Sequence, residues 1–196
     1  MLETILNIDK AVFLFLNNLG SETWDSLWLI ITKQINWIPV FLIFFYWLFK
    51  YYGWRHSLLI LLMISLLILI TDQTTNHLFK FRFERLRPCS EPSLEGLIRA
   101  VKTSSTFSFI SGHASNSMSV CFFLYTLFKS KVRYVGFMFL WPLIFAYSRI
   151  YLGLHYPADI LVGYLWGILM ALLVLQFYTF LQAKYFPNSQ NLGTTL

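Results

Sequence analysis

Several apolar runs in this chain approach the length of about 20 residues that a helix needs to cross a bilayer. The clearest are residues 57–78 and 160–181. Because a bilayer offers no water to unpaired backbone groups, such runs fold as helices. The composition agrees, with 57% hydrophobic and 19% aromatic residues and a mean hydropathy of +0.61. The sequence therefore predicts an all-α, polytopic membrane helical bundle.

The apolar pattern indicates five membrane spans, at residues 35–49, 57–78, 112–128, 134–152 and 160–181. Pro142 predicts a kink in the fourth span. Residues 5–19 are apolar at helical spacing but contain Asp9 and Lys10, which favours an interfacial helix over a span.

One membrane-embedded domain therefore covers residues 1–196. It comprises interfacial helices over residues 1–34, a transmembrane core over 35–182 and a flexible polar tail over 187–196. The two cysteines provide no disulfide framework.

Basic residues in the short loops predict the orientation, because such residues stay on the cytoplasmic side. They occupy two turns and the end of the last span, at Lys50, Arg55, Lys129, Lys131, Arg133 and Lys184. The N-terminus and the long loop over residues 79–111 are then extracytoplasmic. That loop is itself basic, but the opposite arrangement would place three basic regions outside.

Three polar strings interrupt the apolar pattern, and the first joins Lys80 to Arg87-Pro88. An ammonium offers a phosphate a point charge, whereas a guanidinium offers two parallel donors. Pro88 restrains the chain just beyond Arg87. Taken alone, this string is explained as well by contact with anionic lipid headgroups.

The second string, Ser111-Gly112-His113, begins the third span. Unpaired backbone N–H groups at a helix start bind phosphate oxygens. Gly112 permits a close approach of that backbone, and Ser111 suits a helix cap or a phosphate donor. An ordinary cap followed by a structural histidine is the competing interpretation.

The third string is Ser148-Arg149, followed by His155 and Asp159. A charge at membrane depth is costly, so Arg149 is expected to face a polar cavity. Asp159 can reach back to one ring nitrogen of His155, raising its pKa and leaving the other nitrogen unprotonated and nucleophilic. Asp159 could instead only complement the helix dipole.

Two further expectations concern neighbours of these strings. Asn76 lies four residues before Lys80, where it can orient the lysine from outside the phosphate pocket. A zinc site needs at least three protein ligands. The sequence contains no tight cluster of histidines, cysteines and carboxylates, so we expect no metal and no other cofactor.

Together the three strings resemble the signature of the type 2 phosphatidic acid phosphatase superfamily, in its membrane lipid phosphatase branch. That signature is a lysine, six residues and Arg-Pro; a Ser-Gly-His core; and Ser-Arg, five residues, His, three residues and Asp. The resemblance covers residues 80–159. Ile110 departs from it, since the family usually has proline there. Many membrane relatives also have six spans, and this chain lacks the first.

The resemblance implies that His155 attacks phosphorus to form a phosphohistidine, that Asp159 supports His155, and that His113 protonates the leaving oxygen. It also implies which residues hold the phosphoryl oxygens, namely Lys80, Arg87, Ser111, Gly112 and Arg149. No metal is required in this chemistry.

The expected function is hydrolysis of a lipid phosphate or pyrophosphate at the extracytoplasmic face of a bacterial inner (plasma) membrane. Small size and short loops resemble bacterial undecaprenyl pyrophosphate phosphatases, which makes undecaprenyl pyrophosphate the leading substrate. Phosphatidylglycerophosphate, phosphatidic acid and lipid A phosphates are the alternatives. No nucleic acid partner is expected, and the sequence does not indicate an oligomeric state.

Two other classes of protein could use the same pocket. Relatives that bind vanadate and oxidise halides are soluble, which the apolar spans argue against. A non-catalytic lipid-phosphate-binding or transport protein would need the cations but not an aligned nucleophile, so the combination of His113, His155 and Asp159 favours an enzyme.

Overall fold

The computed structural model describes residues 2–186, so the predicted tail over residues 187–196 lies outside the described residues. Within residues 2–186 the chain forms helices and loops and no strand. The helices are α1 (Leu2–Asn18), α2 (Glu22–Ile31), α3 (Ile38–Thr74), the single turn α4 (Phe81–Phe83), α5 (Gly112–Phe128), α6 (Leu140–Tyr151) and α7 (Pro157–Tyr185). The all-helical prediction is confirmed.

Helix α3 contains most of the first two predicted spans and the turn between them. Gly53 interrupts it with φ 68° and ψ 172°, a left-handed conformation that favours glycine. A straight helix would separate Phe41 from Ile68 by about 40 Å. Both residues line one cavity, so the chain turns back at Gly53 and places the two halves of α3 side by side.

Helices α5 and α7 pack with their backbones in contact. A Cβ atom on Gly163 would lie 2.9 Å from the carbonyl oxygen of Ser111, and one on Gly167 would collide with the carbonyl oxygen of Ser115. Small residues allow such close packing of helices within membranes. The contact brings the start of α5 to the start of α7, where the Ser111 amide donates a hydrogen bond to the Asp159 carbonyl at 3.0 Å.

The hydrophobic core lies between α3, α5, α6 and α7. Fully buried side chains at its centre include Ile60, Leu67, Phe123, Leu127 and Tyr178. Large apolar side chains also cover the outside of the bundle, for example Leu42, Leu62, Leu165 and Phe180. An apolar exterior around a packed core is the arrangement expected of a protein surrounded by lipid.

Two stretches, Gln34–Leu94 and Pro157–Tyr185, are long and apolar enough to cross a membrane by themselves. The predicted fourth span is shorter than expected, because Val135–Phe139 forms a 3₁₀ helix and α6 begins at Leu140. Pro142 lies in the first turn of α6, where its missing N–H breaks no helical hydrogen bond. The predicted kink at Pro142 is therefore wrong.

Helices α1 and α2 lie against the ends of α6 and α7. Phe13 of α1 is fully buried, and the amide of Asn17 donates to the carbonyl oxygens of Ile150 and Tyr151 at 3.0 and 2.9 Å. The opposite side of α1 is apolar and exposed, at Ile5, Ile8, Val12 and Phe15. An outward apolar face is what an interfacial helix requires.

Candidate active site

The three sequence strings meet at one end of a cavity between α3, α5 and α6. The cavity has a volume of about 460 Å³. Five of the predicted site residues line its wall with polar side chains, namely Lys80, Arg87, His113, Arg149 and His155. Ser111 and Asp159 are not among the lining residues. Gly112 and Asn76 line it as well. Residues up to 79 positions apart in sequence, Asn76 and His155, thus share one site.

Lys80 ends a π-helical turn, Thr75–Lys80, that continues α3. Its ammonium donates to Asn76 Oδ1 at 2.9 Å, and the Asn76 amide donates to Asp72 Oδ2 at 3.3 Å. Asn76 thereby holds Lys80 at the cavity wall, which is the contact that the spacing of these two residues predicts.

Arg87 is buried in the loop before a 3₁₀ turn that begins at Pro88. Its Nε and Nη2 donate to the carbonyl and hydroxyl oxygens of Thr106 at 2.8 and 2.9 Å, and its Nη1 donates to the Leu154 carbonyl at 3.0 Å. These contacts fix the plane of the guanidinium. The same Nη1 lies 3.0 Å from Nε2 of His155.

The contact with Arg87 determines which nitrogen of His155 carries the proton. A guanidinium can only donate, so Nε2 accepts and is unprotonated, and the proton is on Nδ1. Nδ1 lies 3.4 Å from Oδ2 of Asp159, to which it donates. His155 therefore presents an unprotonated Nε2 to the cavity, as a nucleophile requires.

Asp159 is held in place from three directions. Its Oδ2 also accepts from the Tyr156 amide at 2.9 Å, which is the capping arrangement at the start of α7. Its Oδ1 accepts from Arg85 Nη1 at 2.8 Å, and its side chain has no solvent exposure. Asp159 thus caps the start of α7, where it can also complement the helix dipole as in the competing interpretation, and it is at the same time the partner of His155.

The pKa of His155 is lowered well below 6.5. Full burial disfavours the charged ring, and the neighbouring Arg87, Arg149 and Lys80 repel a further positive charge. The net shift is therefore opposite to the rise expected from Asp159, because burial and three cations outweigh one carboxylate. The ring is therefore neutral at neutral pH, which is the state that a nucleophilic histidine needs.

This shift predicts that the protein loses stability as the pH falls below about 6.5, the ordinary pKa of histidine. In that range the unfolded chain binds a proton at His155 and the folded protein does not, so acid favours unfolding. The melting temperature of detergent-purified protein at pH 7.5 and 5.5 tests this. His155→Gln should lose less than the wild type, and an equal loss in both proteins would contradict the assignment.

The second string begins α5 as predicted. Ser111 is the N-cap, and its Oγ accepts from the Ala114 amide at 3.4 Å. His113 follows in the first turn, with its ring 5.0 Å from that of Phe145. The free N–H groups of this turn and the His113 ring face the same end of the cavity as His155. Ile110, which replaces the usual proline, is fully buried and contributes no functional group.

Arg149 reaches the cavity from the last turn of α6. It is only 7% exposed, and its Nη1 donates to Thr32 Oγ1 at 2.7 Å. Its Nε is buried without a hydrogen-bond partner. A buried guanidinium with an unpaired donor on a cavity wall is suited to binding an anion there.

Sequence reasoning missed three residues that contact this site. Thr32 follows α2 and binds Arg149, while Arg85 and Asp9 form a chain of ion pairs that ends on Asp159. Arg85 stands inside the first string but outside its signature positions. A charged residue in an otherwise apolar helix was the only signal of Asp9.

The residues at this end of the cavity can perform phosphoryl transfer. Three cations and a helix start can bind phosphoryl oxygens, His155 can attack, and His113 can supply or accept a proton opposite it. Phosphoryl transfer depends mainly on positioning and on neutralising charge, which fixed cations and backbone amides provide.

Comparison with known proteins supports this chemistry. Residues 60–183 match the family model of the PAP2 superfamily. The chain is 34% identical to the lipid A 4'-phosphatase of Bacteroides thetaiotaomicron, over 85% of this chain and 75% of that protein. It is 28% identical to the lipid A 4'-phosphatase of Porphyromonas gingivalis, over 96% of this chain and 80% of that protein.

A solved structure has the same fold. The transmembrane PAP2-type phosphatidylglycerolphosphate phosphatase of Bacillus subtilis superposes with a TM-score of 0.64 at 23% identity, over 89% of this chain and 86% of that one. The family match covers all three strings and most of the helices that hold them. The chain belongs to the PAP2 superfamily of phosphatases.

Proposed function

We propose that this protein hydrolyses the phosphate monoester of an acylated sugar or glycerol lipid and releases phosphate, with lipid A 4'-phosphate as the leading candidate substrate. The shape of the cavity is the observation that carries this proposal. Its phosphate-binding end continues into an apolar channel lined by Phe44, Leu48, Leu61, Ile64 and Leu124. A phosphate can therefore reach His155 while the attached hydrocarbon stays among apolar side chains.

The relatives favour this substrate class over undecaprenyl pyrophosphate, the leading expectation from size and loop length. Both lipid A 4'-phosphatases match over most of their length. Two polar groups elsewhere on the cavity wall agree with this preference: Asn116 Oδ1 and Trp141 Nε1 are buried there without a hydrogen-bond partner. The hydroxyls and acyl carbonyls of a sugar or glycerol lipid can bind them, whereas a polyprenyl chain cannot.

The reaction proceeds in two steps. In the first, Nε2 of His155 attacks phosphorus, the phosphorus–oxygen ester bond breaks, and His113 protonates the leaving oxygen. His155 gives up its contact with Arg87 Nη1 as the substrate binds, and that Nη1, still anchored on the Leu154 carbonyl, donates to a phosphoryl oxygen instead. In the second, His113 takes a proton from water, the hydroxide attacks phosphorus, and the phosphorus–nitrogen bond breaks.

A substrate panel tests the proposal. Purified protein in detergent should release phosphate from lipid A 4'-phosphate at least about tenfold faster than from undecaprenyl pyrophosphate, since a polar site discriminates against substrates that leave its groups unpaired. Phosphatidylglycerophosphate and phosphatidic acid complete the panel. The fastest turnover on undecaprenyl pyrophosphate would overturn the proposed substrate class but not the phosphatase activity.

The same assay tests independence from metal. Within residues 2–186, no group of three or more His, Cys, Asp or Glu side chains is arranged to hold a metal ion. Activity is expected to survive excess EDTA, and vanadate is expected to inhibit by occupying the phosphate site as a five-coordinate mimic. Loss of activity in EDTA that one divalent ion restores would refute this expectation.

We further propose five membrane spans, formed by the two halves of α3 and by α5, α6 and α7. The basic turns near Lys50 and Lys131 then face the cytoplasm, and the loop over residues 79–111 faces the outside of a bacterial inner membrane. The site would lie at the outer interface, where a lipid headgroup can enter without leaving the bilayer.

Cysteine labelling tests this orientation. Ser93 is exposed in the long loop and Ser130 is exposed in the turn after α5. In a Cys89→Ser background, Ser93→Cys should react with an impermeant thiol reagent in intact cells or spheroplasts. Ser130→Cys should react only after permeabilisation. The reverse pattern would invert the topology.

A further inference from the structure

A chain of buried ion pairs joins helix α1 to the histidine–aspartate pair. Asp9 Oδ2 accepts from Arg85 Nη2 at 2.7 Å, and Arg85 Nη1 donates to Asp159 Oδ1 at 2.8 Å. The side chains of Asp9, Arg85 and Asp159 are 6%, 18% and 0% exposed. A guanidinium shared between two carboxylates at these distances is a strong, directional interaction.

Arg85 has little freedom to move. Its guanidinium lies over the ring of Tyr156 at 3.8 Å, and its own carbonyl accepts from the amide of Ser108 at 2.8 Å. Tyr156 is the N-cap of α7 and packs edge-on against Phe13 of α1. The backbone, the stacked ring and the two carboxylates together fix the position of Arg85.

Asp9 is also bonded directly to the start of α7. Its Oδ1 accepts from the Ala158 amide at 2.8 Å, one residue before Asp159. Asp9 therefore acts on the first turn of α7 both through Arg85 and through the backbone. The start of α7 and the side chain of Asp159 are located by a residue of the N-terminal helix.

The ion pairs determine how Asp159 faces His155. Since Oδ1 is held by Arg85, only Oδ2 is available to the Nδ1–H of His155. The three charges sum to minus one, so Asp9 offsets the charge of Arg85 and leaves a net negative charge beside the histidine. That charge stabilises the positive imidazole ring that forms as His155 bonds to phosphorus.

We propose that Asp9 and Arg85 are positioning residues for the nucleophile, so that helix α1 completes the active site. This inference rests on the proposed phosphatase function. It assigns α1 a role beyond membrane attachment, since docking of α1 on the loop and on α7 sets the orientation and charge of the pair formed by His155 and Asp159.

Kinetics of three variants test this proposal, with lipid A 4'-phosphate and phosphatidylglycerophosphate as substrates. Asp9→Asn and Arg85→Gln should each lower kcat by about 10- to 100-fold, because a small misplacement of a reacting group has effects of that size. KM should change by less than about threefold. Arg85→Lys should recover part of the loss, since an ammonium keeps the charge but not the two-sided geometry.

Lys10→Gln is the matched control. Lys10 neighbours Asp9 on the same helix and pairs with Glu91 at 3.4 Å, but neither residue contacts the site. This variant should keep wild-type kcat. In single-turnover experiments, Asp9→Asn and Arg85→Gln should slow formation of the phosphoenzyme by the same factor as kcat. Asp9→Asn combined with Arg85→Gln should be little slower than Arg85→Gln alone, because the two residues act as a unit.

The outcomes separate this proposal from the proposed function. An active wild type with unchanged kcat in folded Asp9→Asn and Arg85→Gln would overturn the positioning role alone. A loss confined to KM, or a loss that Lys10→Gln shares, would overturn it as well. If Asp9→Asn or Arg85→Gln fails to fold, the other of these two variants and Arg85→Lys are judged by the same changes in kcat and KM. A wild type that hydrolyses no lipid phosphate would overturn both proposals.

Discussion

Replacing His155 with alanine is expected to abolish phosphate release, with a loss of more than about 10⁴-fold in kcat, because the variant lacks the atom that attacks phosphorus. In the wild type, a brief reaction with ³²P-labelled lipid followed by alkaline denaturation should trap an alkali-stable, acid-labile phosphoprotein. The variant should show none.

His77→Ala provides the control for this experiment. His77 is exposed on the π-helical turn, its ring lies 5.8 Å from that of Phe81, and it is not among the residues that line the cavity. It should keep full turnover and phosphoprotein. Near-normal turnover by folded His155→Ala would remove His155 from the chemistry. A phosphoprotein that persists in His155→Ala but disappears in His113→Ala would exchange the roles of the two histidines.

Replacing Asp159 with asparagine is expected to lower kcat by about 10⁴-fold with little change in KM, as when an amide replaces the carboxylate partner of a catalytic histidine. An amide cannot stabilise the positive ring that forms on His155. Its N–H₂ group would also meet a donor on either side, since Asp159 accepts from both Arg85 and Tyr156.

The same two contacts make Asp159→Asn destabilising, because removing one partner of a buried ion pair costs about 3–5 kcal/mol. The kinetics therefore need a separate test of folding and binding, namely whether vanadate protects the variant against thermal unfolding. Folded protein that binds vanadate but turns over slowly supports the assignment. A rise in KM alone would instead identify Asp159 as a binding or capping residue.

The sequence predicted which charged residues and histidines come together at one end of the cavity. All five line it, although they come from the π-helical turn after α3, from α5 and α6, and from two loops: Lys80, Arg87, His113, Arg149 and His155. The physical reason is that charged groups in an apolar bundle have few places to lie. Interruptions at the ends of neighbouring spans meet at the same membrane depth, and the spacing of the strings fixed which interruptions belong together.

The supporting contacts could not be predicted in this way. Asp9 and Arg85 are separated by 76 residues, and Thr32 and Arg149 by 117. From the sequence, Asp9, which stands next to Lys10 in a largely apolar helix, is equally compatible with a headgroup contact and with a buried ion pair. Only the docking of α1 and α2 on the core distinguishes these possibilities, and that docking depends on shape more than on periodicity.

The pattern of apolar residues likewise could not predict the turn at Gly53 or the length of α6. Hydropathy separates two predicted spans at residues 50–56, but it does not show that the chain reverses its direction at a single glycine. Pro142 predicts a kink only if the helix starts at Tyr134. Because Val135–Phe139 forms a 3₁₀ helix, α6 starts at Leu140, and Pro142 lies in its first turn, where no helical hydrogen bond is lost.

The close backbone contact at Gly163 and Gly167 determines which helices can move relative to one another. With no layer of side chains between them, α5 and α7 cannot separate or slide without losing their fit, so His113 and Asp159 move as parts of one body. Any widening of the channel therefore has to come from α3 and α6, which form the rest of its wall, and the two halves of α3 meet at Gly53. We expect substitutions along α3 to alter how fast lipids enter and products depart, while the bond-making steps keep their rates.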